Sequence, residues 1–201
     1  MKDSLHTIIY ATVLAVVCAV LLTAAAQFTE PYRKSNAAAE KIRGILDVME
    51  APFPCDASSR ELAEIFEANV RQERQGQLTM YLYAPSGGHG EVVAIAVEFV
   101  GPGLWGPVKG FLALEPDMKT IRGIVFHQQE ETPGLGGDIV SDSFRNQFKG
   151  KTITDTLGNP GIGIVRGGAS GANQVDAISG ATITCDKVEE MLNKLIGKVT
   201  E

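Results

Sequence analysis

The chain is sparing with the residues that usually carry metal and nucleophile chemistry. Its 201 residues include three cysteines, three histidines and one tryptophan. Cys18, Cys55 and Cys185 form no CxxC pair, which argues against a zinc ribbon or an iron–sulfur site made within this chain. Cys18 lies in an apolar run, where a thiol behaves as a small hydrophobe. A Cys55–Cys185 disulfide stays open, since geometry decides such pairs. The histidines are His6, His89 and His127, and no GxSxG segment accompanies them, so a serine hydrolase is disfavoured. Acidic residues outnumber basic ones by 24 to 18, giving a net charge of −6 without a basic patch; nucleic acid is set aside as a partner. Internal repeats and low-complexity tracts are missing, and the segment Glu131–Gly137 lacks the GxGxxG spacing of a nucleotide loop.

One long apolar run is present. Thr7 to Ala26 (TIIYATVLAVVCAVLLTAAA) carries no charge and shows no polar face. As a helix rising ~1.5 Å per residue it spans about 30 Å, the thickness of the hydrocarbon layer. A cleaved signal peptide competes, with Ala24-Ala25-Ala26 as its small-residue site. Its length and single basic residue before the run, Lys2, favour an uncleaved anchor. The organisation expected is a flank at 1–6, a transmembrane helix at 7–26, a juxtamembrane linker at 27–57 and one domain at 58–201. Arg33, Lys34, Lys41 and Arg43 follow the anchor, so the positive-inside rule taken alone puts the domain in the cytoplasm.

Beyond the anchor, Phe28–Asp47 reads as a helix broken by Pro52-Phe53-Pro54. Ser58 with Glu61 forms a capping-box pattern for a helix to about Glu73. Strands are expected at Leu78–Tyr83 and Glu91–Val100, separated by a turn at Ser86–Gly90. A hairpin is expected from Lys109–Leu114 and Thr120–Phe126, then a helix near Val140–Phe148 and short strands near Thr152 and Ile162–Arg166. Val188, Met191, Leu192, Leu195 and Ile196 repeat at i, i+3, i+4, i+7, i+8, the stripe of a last helix that Asp186 and Glu189 could cap. Strands and helices that do not alternate as βαβ units imply an α+β fold.

Most of the 22 glycines lie between Gly87 and Gly180, where three segments stand out. Gly101-Pro102-Gly103-Leu104-Trp105-Gly106 brackets the single tryptophan; it is either a core plug or an aromatic and aliphatic wall for a planar ligand. Glu131-Thr132-Pro133-Gly134-Leu135-Gly136-Gly137 can turn backbone N–H groups into one space. Asp176-Ala177-Ile178-Ser179-Gly180-Ala181-Thr182-Ile183-Thr184 leads into the last helix, where free N–H groups and the helix dipole favour phosphate.

Those segments, with the phrases GPGLWGPVKGF, EETPGLGGDI, IVRGGAS and VDAISGATIT, resemble the FMN-binding domain family. Its members include the C subunit of the sodium-translocating NADH:quinone reductase and the G subunit of the Rnf complex. The resemblance implies one FMN bound covalently as a phosphoester on Thr184, the last threonine of S-G-A-T-x-T, attached by a separate magnesium-dependent flavin transferase. It implies cofactor contacts from Ser179, Gly180, Ala181 and Thr182, and from Leu104, Trp105, Glu131, Thr132, Leu135 and Gly136. Arg166, with Lys151 as a weaker choice, would offset phosphate or reduced-flavin charge, and Asp176 could help the transferase recognise the segment. Neither a catalytic residue nor a metal is implied on this chain. The role implied is electron relay in an ion-translocating NADH:quinone reductase of a bacterial inner membrane, beside other subunits and the lipid bilayer, with the domain periplasmic. A G-type Rnf subunit and a non-redox anchored binding module are the alternatives.

Overall fold

A computed structural model describes residues 2–76, 78–85 and 90–200. The turn expected at Ser86–Gly90 falls almost wholly outside these, including His89. The chain forms two compact units, Met1–Ala39 and Glu40–Glu201. The first is helical and belongs to α1 (Lys2–Val48), with exposed apolar side chains such as Ile8, Leu14, Val17 and Leu22. By length and composition α1 is the helix among the described residues able to cross a membrane.

The second unit is built on a five-stranded antiparallel meander in chain order: β1 (Val70–Gln75), β2 (Leu78–Tyr83), β3 (Ala94–Pro102), β4 (Pro107–Leu114) and β5 (Ile121–Gln128). Short connections between sequential strands dictate that order. The pleat sends alternate residues to opposite faces. On one face lie Ile95, Val97 and Phe99 of β3 with Val108, Leu112 and Leu114 of β4. They pack against Val188, Leu192, Leu195 and Ile196 of α4 (Thr182–Thr200). On the other face, Ala94, Ala96, Phe111 and Val125 pack against Ile45, Leu46 and Met49 and against Leu62 of α2 (Ser59–Asn69). Residues 40–57, expected as linker, therefore supply core. Ile42, Ile45, Leu46 and Met49 follow i, i+3, i+4, i+7 spacing along the end of α1 and the residue after it.

Ser58 caps α2 as expected, its hydroxyl accepting from Glu61 N while Glu61 accepts from Ser58 N. The helix ends at Asn69 rather than near Glu73, because the chain turns there into β1. Val140–Phe148 is not one helix. It divides into a 3-10 helix (Gly136–Val140), α3 (Asp142–Arg145, capped by Ser141) and a second 3-10 helix (Asn146–Phe148). Thr152 makes only an isolated bridge with Thr120, whereas β6 (Gly163–Val165) and β7 (Gln174–Asp176) pair in parallel.

The last helix starts at Thr182, so Asp186 lies in its second turn and cannot cap it. Glu189 instead accepts from Ile164 N at 2.6 Å, and Asn193 grips Ile162 from both its amide ends. These contacts fix α4 on β6 and so fix the position of its first turn. The cysteines are unpaired: Cys55 is exposed, while Cys185 is buried under that turn and accepts from Ile178 N.

Candidate functional site

Three loops that are far apart in sequence meet at the start of α4. The first is the β3–β4 turn, closed by Gly103 N donating to Gly106 O at 2.8 Å. The second follows β5, from Glu131 to Gly136. The third is the turn Ile178–Ala181, where Gly180 takes φ +78° and Ala181 N donates to Ile178 O. A left-handed residue is natural there only for glycine, and it lets the chain reverse into the helix.

Together they line a cleft of about 310 Å³, at the small end of the ~300–1,000 Å³ typical of ligand sites. Its lining is Leu104, Trp105, Glu131, Thr132, Leu135, Gly136 and the run 180–184. The apolar members are not tucked away. Trp105 is 70% exposed, Ile183 52%, Leu104 47% and Leu135 44%. The tryptophan is therefore no core plug. It stands in solvent beside a concavity, an arrangement expected when a flat apolar partner completes the surface.

Polar groups converge on the same space. The first intrahelical bond of α4 runs from Cys185 N to Ala181 O. The N–H groups of Thr182, Ile183 and Thr184 precede it and lack helical acceptors, leaving a positive helix end that suits an anion. Thr182 is half-buried at the first helical position. Thr184 is buried, and its hydroxyl donates to Glu131 Oε2 at 2.7 Å. Glu131 is buried as well; its Oε1 accepts from Leu104 N at 2.7 Å and Trp105 N at 3.2 Å. Three donors thus satisfy one carboxylate with no cation nearby in its hydrogen-bond set, a condition a buried acid requires.

Two glycines fit closely around that carboxylate. A Cβ on Gly103 would strike Glu131 Oε1, and one on Gly136 would strike both Thr184 Oγ1 and Glu131 Oε2. Close approach, rather than unusual backbone, explains glycine at these two places.

Residues 103–197 match the model of the FMN-binding domain family. Over that segment the chain is similar to FMN-binding domains. Relatives are C subunits of the Na(+)-translocating NADH-quinone reductase. The one from Yersinia pestis is 39% identical over 119 residues, 58% of this chain and 45% of the relative. The one from Pseudomonas aeruginosa is 33% identical over 153 residues, 74% of this chain and 57% of the relative. The chain spans about half the length of the curated relatives it matches. Among solved structures, the C subunit from Parabacteroides distasonis superimposes with a TM-score of 0.68 at 28% identity, covering 84% of this chain and 94% of that one. The Shewanella oneidensis NqrC structure gives 0.69 at 22% identity, covering 82% and 94%, a likeness of fold.

The cleft brings together most of the residues singled out from sequence. Leu104, Trp105, Glu131, Thr132, Leu135, Gly136, Gly180, Ala181, Thr182 and Thr184 all line the cleft. Ser179 and Arg166 do not; both are exposed outside the lining. Lys151 points elsewhere, donating to Gly171 O at 3.1 Å. Asp176 accepts from the N–H groups of Gly168 and Ala169, which shapes the loop before β7. Sequence reasoning missed Ile183 and Gly103. Ile183 had a readable signal, because it falls off the buried stripe of α4 and so has no core to enter. The group fits: planar apolar walls, hydroxyls and a helix start meet in one cleft. FMN supplies reversible electron chemistry when bound, while the protein sets its place and surroundings.

Proposed function

We propose that this chain is the membrane-anchored FMN subunit of an ion-translocating NADH:quinone reductase, relaying electrons between neighbouring subunits. The observation that carries this reading is the exposed Trp105–Leu104 wall facing the open start of α4 across one cleft. Walls of this kind hold a ring system, and unpaired N–H groups at a helix start hold its phosphate. The role of the chain is to bind, orient and retain the flavin; NADH chemistry belongs to a partner subunit. The anchor at 7–26 holds the domain at the bilayer, with the domain on the periplasmic side, where a covalent tether prevents loss of a scarce cofactor.

The tether is a phosphoester to a threonine of the 180–184 segment, made by a flavin transferase. Sequence resemblance puts it on Thr184, but exposure and charge favour Thr182. Thr184 is 2% exposed and already gives its proton to Glu131. An ester there would remove that donor and set a phosphate against a buried carboxylate. Thr182 is more accessible and lies beside the free N–H groups of Ile183 and Thr184, where a phosphate is stabilised.

Co-expression with a flavin transferase, followed by denaturing gel fluorescence and peptide mapping of 179–187, tests both points. Thr182→Val is expected to abolish the covalent flavin. Full labelling of Thr182→Val with the mass increase on Thr184 would return the ester to Thr184. Wild-type chain carrying no FMN on either residue would overturn the covalent reading.

A further inference from the structure

Resting on that reading, we propose that Glu131 and Thr184 form a positioning clasp that holds the flavin walls and the acceptor turn in register before any flavin arrives. Glu131 Oε1 collects the N–H groups of Leu104 and Trp105, and Oε2 collects the hydroxyl of Thr184. One buried side chain thereby ties the β3–β4 turn to the first turn of α4. Both elements line the cleft, and residue 131 itself belongs to the loop that follows β5.

Several observations set the clasp apart from an ordinary buried hydrogen bond. Its donors come from segments 27 and 53 residues away from Glu131, so no local turn explains them. Gly103 and Gly136 leave no room for any side chain against its oxygens, which fixes the carboxylate in one place. Leu104 and Trp105 are exposed by their side chains, so the amide contacts with Glu131 join the Gly103 N–Gly106 O bond in restraining this hairpin tip. A site that must capture a flat ring with accuracy gains from walls ordered in advance. Thr184 is a positioning residue in this scheme, acting through Glu131 on Trp105 and through its own helix turn on Thr182.

The single tryptophan makes the test direct, because Trp105 fluorescence reports the tip without a flavin. Full-length protein in detergent, made without transferase, is compared as wild type, Thr184→Ser, Thr184→Val and Glu131→Gln. The serine keeps the donor and is expected to match wild type in Trp105 anisotropy and in the rate of flavin attachment at fixed transferase. The valine, with no donor, is expected to lower anisotropy and slow attachment at least tenfold under conditions where circular dichroism shows it folded. Glu131→Gln can keep the bridge by presenting its carbonyl to the two amides and its NH₂ to Thr184 Oγ1. It is expected to retain anisotropy and stay within about threefold of the wild-type rate, and it keeps the test open if the valine variant fails to fold. Folded Thr184→Val with wild-type anisotropy and rate would overturn the clasp, as would serine and valine variants equally impaired. Wild type that takes up no flavin at all would instead overturn the reading on which the clasp rests.

Discussion

The two sides of the sheet each hold a carboxylate, buried at Glu131 and half-buried at Glu98, and they satisfy it in opposite ways. On the face toward α4, Glu131 is held by two amides and a hydroxyl, all neutral. On the face toward the end of α1, Glu98 meets Lys41 Nζ at 2.7 Å, with His127 Nε2 4.0 Å from its other oxygen. An ion pair largely cancels its own field, whereas neutral donors leave the full negative charge in place. The α4 side thus presents an open cleft ordered by neutral donors, and the α1 side a packed core edged by a partly exposed ion pair. Stability and cofactor handling should therefore separate between the two faces under mutation.

The sharpest break of that contrast is Phe111→Ala. Phe111 is fully buried on the α1 side, edge-on to Tyr81 at 5.8 Å and stacked on His127 at 5.1 Å. Truncating such a ring costs about 3–5 kcal/mol, visible as a lower midpoint in urea unfolding. The fraction that remains folded should still take up flavin at the wild-type rate. Gly136→Ala should reverse that ranking. Its new Cβ would collide with Thr184 Oγ1 and Glu131 Oε2, and overpacking of this kind costs about 1–3 kcal/mol. Flavin attachment should nevertheless fall far more than for Phe111→Ala. Parallel losses of stability and labelling in both variants would dissolve the distinction between the faces.

What the sequence revealed follows from whether the signal was local. The α4 stripe, the Ser58–Glu61 box and the β4–β5 hairpin are periodicities or short-range hydrogen bonds, and all are present. Strand β1 (VRQERQ) escaped because it is an edge strand exposed after Val70, so no alternation marks it. The start of α4 was placed too late because its first buried residues are Thr184 and Cys185, which do not read as an apolar stripe. The cleft residues were legible as three glycine-rich segments, but the bond between Glu131 and Thr184 was not. Partners 53 residues apart leave no trace in spacing. The Ile42–Met49 stripe was legible and was obscured only by its place after a long apolar run.

The smallest effect belongs to the pH dependence of the α1-side face. Burial is the main cause that holds the His127 imidazole below its usual range; Lys41 and Lys109 push the same way, while Glu98 and Glu40 oppose it. Its Nε2 has no hydrogen-bond partner among the described residues, so a proton arriving there would be poorly received. The unfolded chain binds that proton near the ordinary histidine value of ~6.5, and the folded chain only at lower pH. Protons then favour the unfolded state, so stability is full above about pH 6.5 and declines as pH falls toward the folded value. His127→Gln should flatten that decline in urea midpoints measured between pH 7.5 and the acid limb, without changing flavin attachment on the opposite face. An unchanged slope would mean that His127 titrates alike in both states; a changed attachment rate would mean that the two faces are coupled through the sheet.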